Sequence, residues 1–264
     1  MSRPARRGSA SGGSDRARWE GTLARGIFVT GTDTGVGKTV IAAALAAACR
    51  ARGLDVGVMK PVETGCAVRN GRRIARDARE LMRAAGVRDG IEAVCPYRFK
   101  EPLAPILAAE REGAAIRLSR IAAAFRRLSR RHDFMIVEGI GGTLTPVTRA
   151  VFALDLALSF ELPVLVVART GLGTLNHTLL TVQAVRQAGA PVLGVVFNRA
   201  RPGRNGLVER TNPGVFSRIS DVPVLGVVPY LGGADRRSRL GGVGRMVMDH
   251  VDKRIHHPGI ELDP

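Results

Sequence analysis

The sequence predicts an α/β fold, a mostly parallel central sheet with helices on both faces, on three observations. From Gly26 onward, short β-branched runs alternate with Ala/Leu/Arg-rich stretches of helical periodicity, the order that builds right-handed βαβ units. The β-branched runs are almost continuously apolar, as strands buried on both faces are. The first of them passes through a Gly-rich turn straight into an Ala-rich helix.

The elements follow in order. Strands are expected at Ile27–Thr30, Val56–Met59, Phe134–Glu138, Val164–Ala168, Val192–Phe197 and Val224–Val228. Helices are expected at Thr39–Arg52, Ile74–Ala85, Leu118–Arg131 and Leu175–Ala188, with a weaker pattern over Gly206–Ile219. In such sheets ligands bind beyond the carboxyl ends of the strands, so those ends are where chemistry is sought.

Beyond the first strand lies Gly31-Thr32-Asp33-Thr34-Gly35-Val36-Gly37-Lys38-Thr39. Glycines that let backbone N–H groups face an anion, followed by a helix amino end, make a phosphate cradle. Lys38 would reach the β/γ-phosphates and the Thr39 hydroxyl would ligate Mg²⁺. The chain is therefore P-loop NTPase-like, although its first glycine stands one position earlier than in G-x-x-x-x-G-K-[ST]. The second strand ends in Lys60-Pro61-Val62-Glu63-Thr64-Gly65, which brings Lys60 and Thr64 toward the same crevice. A lysine there can neutralise charge that develops in phosphoryl transfer. The third strand ends in Glu138 and then Gly139-Ile140-Gly141-Gly142; an acid in that position holds Mg²⁺, and Asp77 is a second candidate carboxylate. Gly171-Leu172-Gly173-Thr174 opens a later helix as another anion seat, capped by Thr174. Asn198, ending the fifth strand, suits the edge of a base.

Composition sets the limits. With 264 residues, 45% hydrophobic and 24% charged, the chain has enough apolar surface for a full core. It has no apolar run long enough to span a bilayer. Cys49, Cys66 and Cys95 are too few and too scattered for a disulfide scaffold or a C-x-x-C metal site, so a cytoplasmic setting is expected. Residues 1–25, rich in Ser, Gly and Arg, read as a disordered basic extension without the apolar core of a secretory signal. Residues 26–264 then form a single P-loop α/β domain. The formal charge is +17, a field that attracts anions. Yet the cations are dispersed and aromatics are only 4%, which argues against a base-stacking nucleic-acid platform.

These segments together resemble the dethiobiotin synthetase family. The matching stretches are Gly31–Val40 (GTDTGVGKTV), Lys60–Gly65 (KPVETG), Asp77, Val94–Pro105, Val137–Val147 (VEGIGGTLTPV), Pro163–Asn198 and Leu225–Leu231 (LGVVPYL). They run through most of residues 26–231 in the family's order, and the early glycine of the phosphate loop is that family's own pattern. The resemblance implies ATP and Mg²⁺. Gly35, Val36, Gly37, Lys38, Thr39 and Val40 would wrap the phosphates; Thr39, Asp77 and Glu138 would surround the metal. Lys60 and Lys38 would stabilise the transferring phosphoryl group, and Glu138, Gly139, Ile140 and Gly141 would line the reacting centre. Asn198, Arg199, Pro229, Tyr230 and Leu231 would hold the adenine, while Thr34 and Thr64 would touch the diamine substrate, 7,8-diaminononanoate. The family is a homodimer in which a helix amino end of the partner receives the substrate carboxylate; Gly173, Thr174, Leu175 and Asn176 match it.

Three departures stand out. Gly35 replaces an acid common among relatives, the acid some members carry just after Leu231 is either missing or shifted to Asp235, and Thr211-Asn212-Pro213 stands where other members carry an aromatic. The stretch Arg236–Arg245 has no assigned counterpart. The alternative reading is a chromosome-partitioning-type ATPase switch that binds DNA. Its loop carries a signature lysine five positions before the loop lysine, where this chain has Asp33. A cobyrinate-amidating relative would need a further glutamine-hydrolysing domain, and a non-catalytic ATP-binding regulator would not need both lysines.

Overall fold

Six strands, all parallel, form the central sheet. The structure, a computed structural model, describes residues 25–203, 206–231 and 236–255; residues 1–24 of the expected basic extension, and Asp235, lie outside these, while its last residue, Arg25, accepts at its carbonyl oxygen from the Met135 amide. In chain order the elements are β1 (Gly26–Gly31), α1 (Lys38–Ala51), β2 (Val56–Met59), β3 (Val62–Glu63), β4 (Ala67–Arg69), β5 (Arg72–Ile74), α2 (Arg76–Ala85), α3 (Ile91–Val94), β6 (Tyr97–Arg98) and α4 (Pro105–Arg111). They continue as α5 (Leu118–Ser129), β7 (Phe134–Glu138), α6 (Ala153–Ser159), β8 (Val164–Ala168), α7 (Thr174–Gln187), β9 (Val192–Asn198), α8 (Leu207–Ile219), β10 (Val224–Val228) and α9 (Arg236–Ile255).

The sheet order is β10-β9-β8-β1-β7-β2. The strands are apolar on both faces because helices cover both, except at the edge strand β10, where Val227 is exposed. In β1, Ile27 and Val29 join one core with Ile41 and Leu45 of α1, Leu81 of α2 and Val247 of α9. Phe28, between them, joins the opposite core with Phe125 of α5, Val185 of α7 and Phe216 of α8. This period-2 division is what a buried strand must show. All six main strands fall within a residue of the ranges expected from the apolar runs.

Two differences have physical causes. The helix expected from Ile74 starts at Arg76, because Arg72–Ile74 pairs antiparallel with Ala67–Arg69. The turn between them is Asn70-Gly71, at φ 49° and 69°, the positive pair that a two-residue hairpin turn demands. The unassigned Arg236–Arg245 stretch belongs to α9, which packs along α1. At their crossing, a Cβ on Gly244 would lie 2.0 Å from the Ala44 carbonyl oxygen and 2.7 Å from the Ala48 Cβ. Since neither neighbour is a flexible side-chain tip, Gly244→Ala must push α9 away from α1, the helix that follows the phosphate loop. Overpacking of this kind costs about 1–3 kcal/mol, so the urea midpoint is expected to fall; an unchanged midpoint would refute this packing.

Candidate active site

The carboxyl ends of β1, β2, β7, β9 and β10 each carry residues that line one cavity. From β1 the chain enters the loop 32–37, and α1 begins after Gly37. That glycine sits at φ 99° and offers no side-chain cap, so the first-turn amides of α1 are left for an anion. Lys38 is buried and donates to the Asp33 carbonyl oxygen at 2.9 Å. Burial, helped by the neighbouring Lys60 charge, lowers the Lys38 pKa to about 8 against the pull of Glu138; phosphate oxygens beside it would raise it again.

Lys60, at the end of β2, is 3% exposed. Its ammonium donates to Glu138 Oε1 at 2.5 Å and to the Gly139 carbonyl oxygen at 3.0 Å, and lies 3.4 Å from Asp77 Oδ2. Burial works against the charge on Lys60, but Glu138 and Asp77 outweigh it and hold the lysine above its ordinary value. Burial pushes the Glu138 carboxyl up, opposed by the Lys60 charge. Thr39 donates its hydroxyl to the same Oε1 at 2.9 Å, whereas Glu138 Oε2 is buried without a hydrogen-bond partner. A buried carboxylate oxygen left unpaired is costly and awaits a cation or donor.

A divalent cation fits this need. Thr39, Asp77 and Glu138 supply hard oxygen donors, the set that Mg²⁺ takes together with substrate phosphates. Among the described residues, no group of three His, Cys, Asp or Glu side chains forms a cage of its own. The thiols play no such part: all three are buried and outside any disulfide, with Cys66 raised to about 12 by burial and Cys95 raised likewise.

A cavity of about 370 Å³ gathers most of the expected residues: Thr34, Gly35, Gly37, Lys38, Thr39, Val40, Lys60, Thr64, Asp77, Glu138, Ile140, Gly141, Asn198, Arg199, Tyr230 and Leu231. Val36, Gly139 and Pro229 are beside this lining rather than in it. Val36 contributes through its carbonyl oxygen, which accepts a 2.7 Å bond from Asn198 Nδ2. A groove of about 710 Å³ adjoins the cavity and shares Thr34, Thr64, Ile140 and Gly141 with it. Gly173, Thr174, Leu175 and Asn176 line neither.

The expectation that Thr174 caps α7 is corrected. Gly173, at φ 84°, takes the cap position with no side-chain bond, and the buried Thr174 hydroxyl donates to the Arg169 carbonyl oxygen. Asn212, one of the departures from the family, is buried and donates to the carbonyl oxygens of Thr170 and Gly171, which braces the loop before α7.

Sequence reasoning missed Glu63 and Ala200 in the cavity wall. Glu63 is buried in the KPVETG segment, and burial pushes its carboxyl up while the amide of Ala78 pulls it down. It also missed the Asp33–Arg169 ion pair at 2.8 Å, which leaves that loop acid engaged with a cation of its own chain.

Comparison with known proteins agrees with this geometry. A family model described as an AAA domain matches residues 25–238. The ATP-dependent dethiobiotin synthetase BioD of Anaeromyxobacter dehalogenans strain 2CP-C is 46% identical over 220 residues, covering 83% of this chain and 96% of that protein. BioD of Bacillus licheniformis is 42% identical over 234 residues, covering 86% and 94%. Among solved structures, the cell division ATPase MinD of Pyrococcus furiosus has a TM-score of 0.52 across 88% of this chain and 100% of its own. At 18% identity that is a likeness of fold alone. Identity at this level along nearly the whole length of its relatives decides between the two readings: the chain belongs to the ATP-dependent dethiobiotin synthetase family.

Proposed function

We propose that the chain closes the cyclic urea of dethiobiotin from 7,8-diaminononanoate, CO₂ and ATP, with release of ADP and phosphate. The observation that carries this reading is the meeting of two lysines, two carboxylates and a threonine hydroxyl at the phosphate loop, in a cavity continuous with a second groove. One amine takes up CO₂ and loses a proton to give a carbamate. A carbamate oxygen attacks the γ-phosphorus of ATP, ADP leaves, and a carbamic–phosphoric anhydride remains. The second amine attacks the anhydride carbonyl carbon, phosphate departs, and the ring closes with loss of a proton.

The substrate supplies both nucleophiles, so the protein needs to align charge rather than to attack. Lys38 and Lys60 neutralise the phosphoryl oxygens as negative charge moves onto them. Thr39, Asp77 and Glu138 would hold Mg²⁺, which would neutralise phosphate charge when bound. Asn198 donates through Nδ2 to the loop, which leaves its Oδ1 to accept from an exocyclic amine such as adenine's. Thr34 and Thr64, on the wall common to cavity and groove, hold the diamine. The excess of basic side chains is not needed for this chemistry, and no DNA ligand is proposed. Incubation with ATP, Mg²⁺, ¹³C-bicarbonate and the diamine is expected to give dethiobiotin one mass unit heavier than with ordinary bicarbonate. Phosphate release indifferent to the diamine but raised by DNA would overturn the reading in favour of the partitioning switch.

The same reading makes the chain a homodimer. Leu144 and Leu180 line the groove yet are 63% and 56% exposed, and Leu172, beside the α7 amino end, is 88% exposed. A second copy placed over them would bring its α7 amino end to the substrate tail. Sedimentation is expected to give about twice the 28.1 kDa chain mass, and Leu172→Asp to raise the KM for the diamine. A chain-sized species with full activity would contradict this.

The site forms among residues 26–231 and α9 buttresses it, in keeping with one domain over 26–264. Buried cysteines outside any disulfide suit a cytoplasmic enzyme. Among the described residues, no helix is long and apolar enough to cross a membrane.

A further inference from the structure

Helix α2 begins without a cap of its own. Its N-cap residue is Ala75, and no side chain near it in sequence bonds the first-turn amides. Four N–H groups at a helix start lack partners within the helix, and here two of them find one far along the chain. Glu63 Oε1 accepts from the Asp77 amide at 3.1 Å, and Glu63 Oε2 accepts from the Ala78 amide at 3.0 Å. The Glu63 side chain thus spans the second and third positions of α2 as a two-oxygen clamp, with its negative charge at the positive end of the helix.

Glu63 is itself fixed. It is 5% exposed. Its carbonyl oxygen accepts from the Phe99 amide at 2.8 Å, within the short β3–β6 pairing. Three residues before it on the same segment stands Lys60, whose ammonium lies 3.4 Å from the Asp77 carboxylate. Asp77 is therefore held twice by one stretch of chain, through its backbone by Glu63 and through its side chain by Lys60. The side chain of Asp77 is 42% exposed, so surrounding packing alone does not fix where its carboxylate points.

We infer that Glu63 is a positioning residue, which sets the Asp77 carboxylate at the distance from Glu138 and Thr39 that a nucleotide-bound divalent cation requires. The inference rests on the reading of Asp77 as a metal ligand. Glu63 lines the cavity, but both its carboxylate oxygens are taken by the Asp77 and Ala78 amides, so it acts through the first turn of α2. Loss of such outer-shell support costs about tenfold or more in metal affinity.

The test is calorimetric titration of the full chain with ADP, once in EDTA and once in Mg²⁺, which reads metal-linked binding without turnover. Three variants are compared with the parent: Glu63→Ala, which removes both acceptors; Glu63→Gln, which keeps one; and Asp77→Asn. The gain in ADP affinity on adding Mg²⁺ is expected to fall about tenfold in Glu63→Ala, and by less in Glu63→Gln. Their affinities in EDTA should remain within about twofold of the parent, because the phosphate loop is untouched. Equal weakening with and without Mg²⁺ would show a general structural role and overturn the inference. If Asp77→Asn abolishes the metal gain while both Glu63 variants keep it, the inference fails and the metal reading stands. If Asp77→Asn also keeps it, the metal reading itself fails. Should Glu63→Ala not fold, Glu63→Gln alone decides by the same two affinities.

Discussion

Replacing Lys60 by alanine is expected to lower dethiobiotin formation by about a thousandfold, with most of the loss in kcat. The lysine is the cation nearest both carboxylates, at 2.5 Å from Glu138 and 3.4 Å from Asp77, and a preorganised donor aimed at developing charge contributes on this scale. The same change removes the partner of a carboxylate that is 1% exposed. Breaking one side of a buried ion pair costs about 3–5 kcal/mol, so Lys60→Ala should also melt early. The two effects can be separated. Adding Glu138→Gln to Lys60→Ala removes the stranded charge and should recover most of the stability while leaving turnover low. Steady-state kinetics and thermal melts of both variants check this; a Lys60→Ala protein with near-normal kcat would remove the lysine from the chemistry.

The second large effect is expected at Gly37. It occupies φ 99°, a region that L-residues enter at a cost. A Cβ there would also fall 2.0 Å from Asn198 Nδ2, the atom that bonds the Val36 carbonyl oxygen. Gly37→Ala therefore strains the loop and evicts Asn198 in one step. Displacements of this size near a phosphate site cost about a hundredfold, so ADP binding should weaken by that order while the circular dichroism spectrum persists. Gly35 is the control. It too has positive φ, 73°, but a Cβ there meets nothing within 4 Å. Asn tolerates that region, so Gly35→Asn should change ADP affinity by about threefold or less. Equal losses at both positions would mean that the Asn198 contact does not matter.

The parts legible in the sequence were those with local or periodic signals. Buried parallel strands need unbroken apolar runs, so β1, β2, β7, β8, β9 and β10 announced themselves. Their carboxyl ends then pointed to Lys60, Glu138 and Asn198, three residues that line one cavity. Features that depend on distant partners were not legible. Glu63 is a charged residue in a short segment until the amides of Asp77 and Ala78, 14 and 15 positions on, come to it. Helix α9 is rich in Arg and Gly, which hid a face that packs only because α1 presents an alanine-rich surface. The hairpin at Asn70-Gly71 carried a readable signal, but each of its strands has only three residues and little apolar pattern. Thr174 is a common capping residue whose hydroxyl the fold turned to another acceptor.

The partitioning-ATPase alternative shows the same divide between fold and site. The likeness to MinD extends along the whole of that structure, and it follows from the sheet and the loop alone. Asp33, where the switch family would carry its signature lysine, pairs instead with Arg169. KPVETG places Lys60 and Thr64 in the cavity wall, where a DNA-binding switch has no use for them.

The fate of the carbon dioxide oxygens distinguishes attack by the carbamate from attack by water. With ¹⁸O-labelled bicarbonate, ATP, Mg²⁺ and 7,8-diaminononanoate, in an assay shorter than label exchange with water, the released phosphate should carry one ¹⁸O atom. That atom is delivered when a carbamate oxygen attacks the γ-phosphorus and stays with it as the ring closes. Phosphate released together with dethiobiotin but free of ¹⁸O would contradict the account, because water rather than the carbamate would then have taken the phosphoryl group.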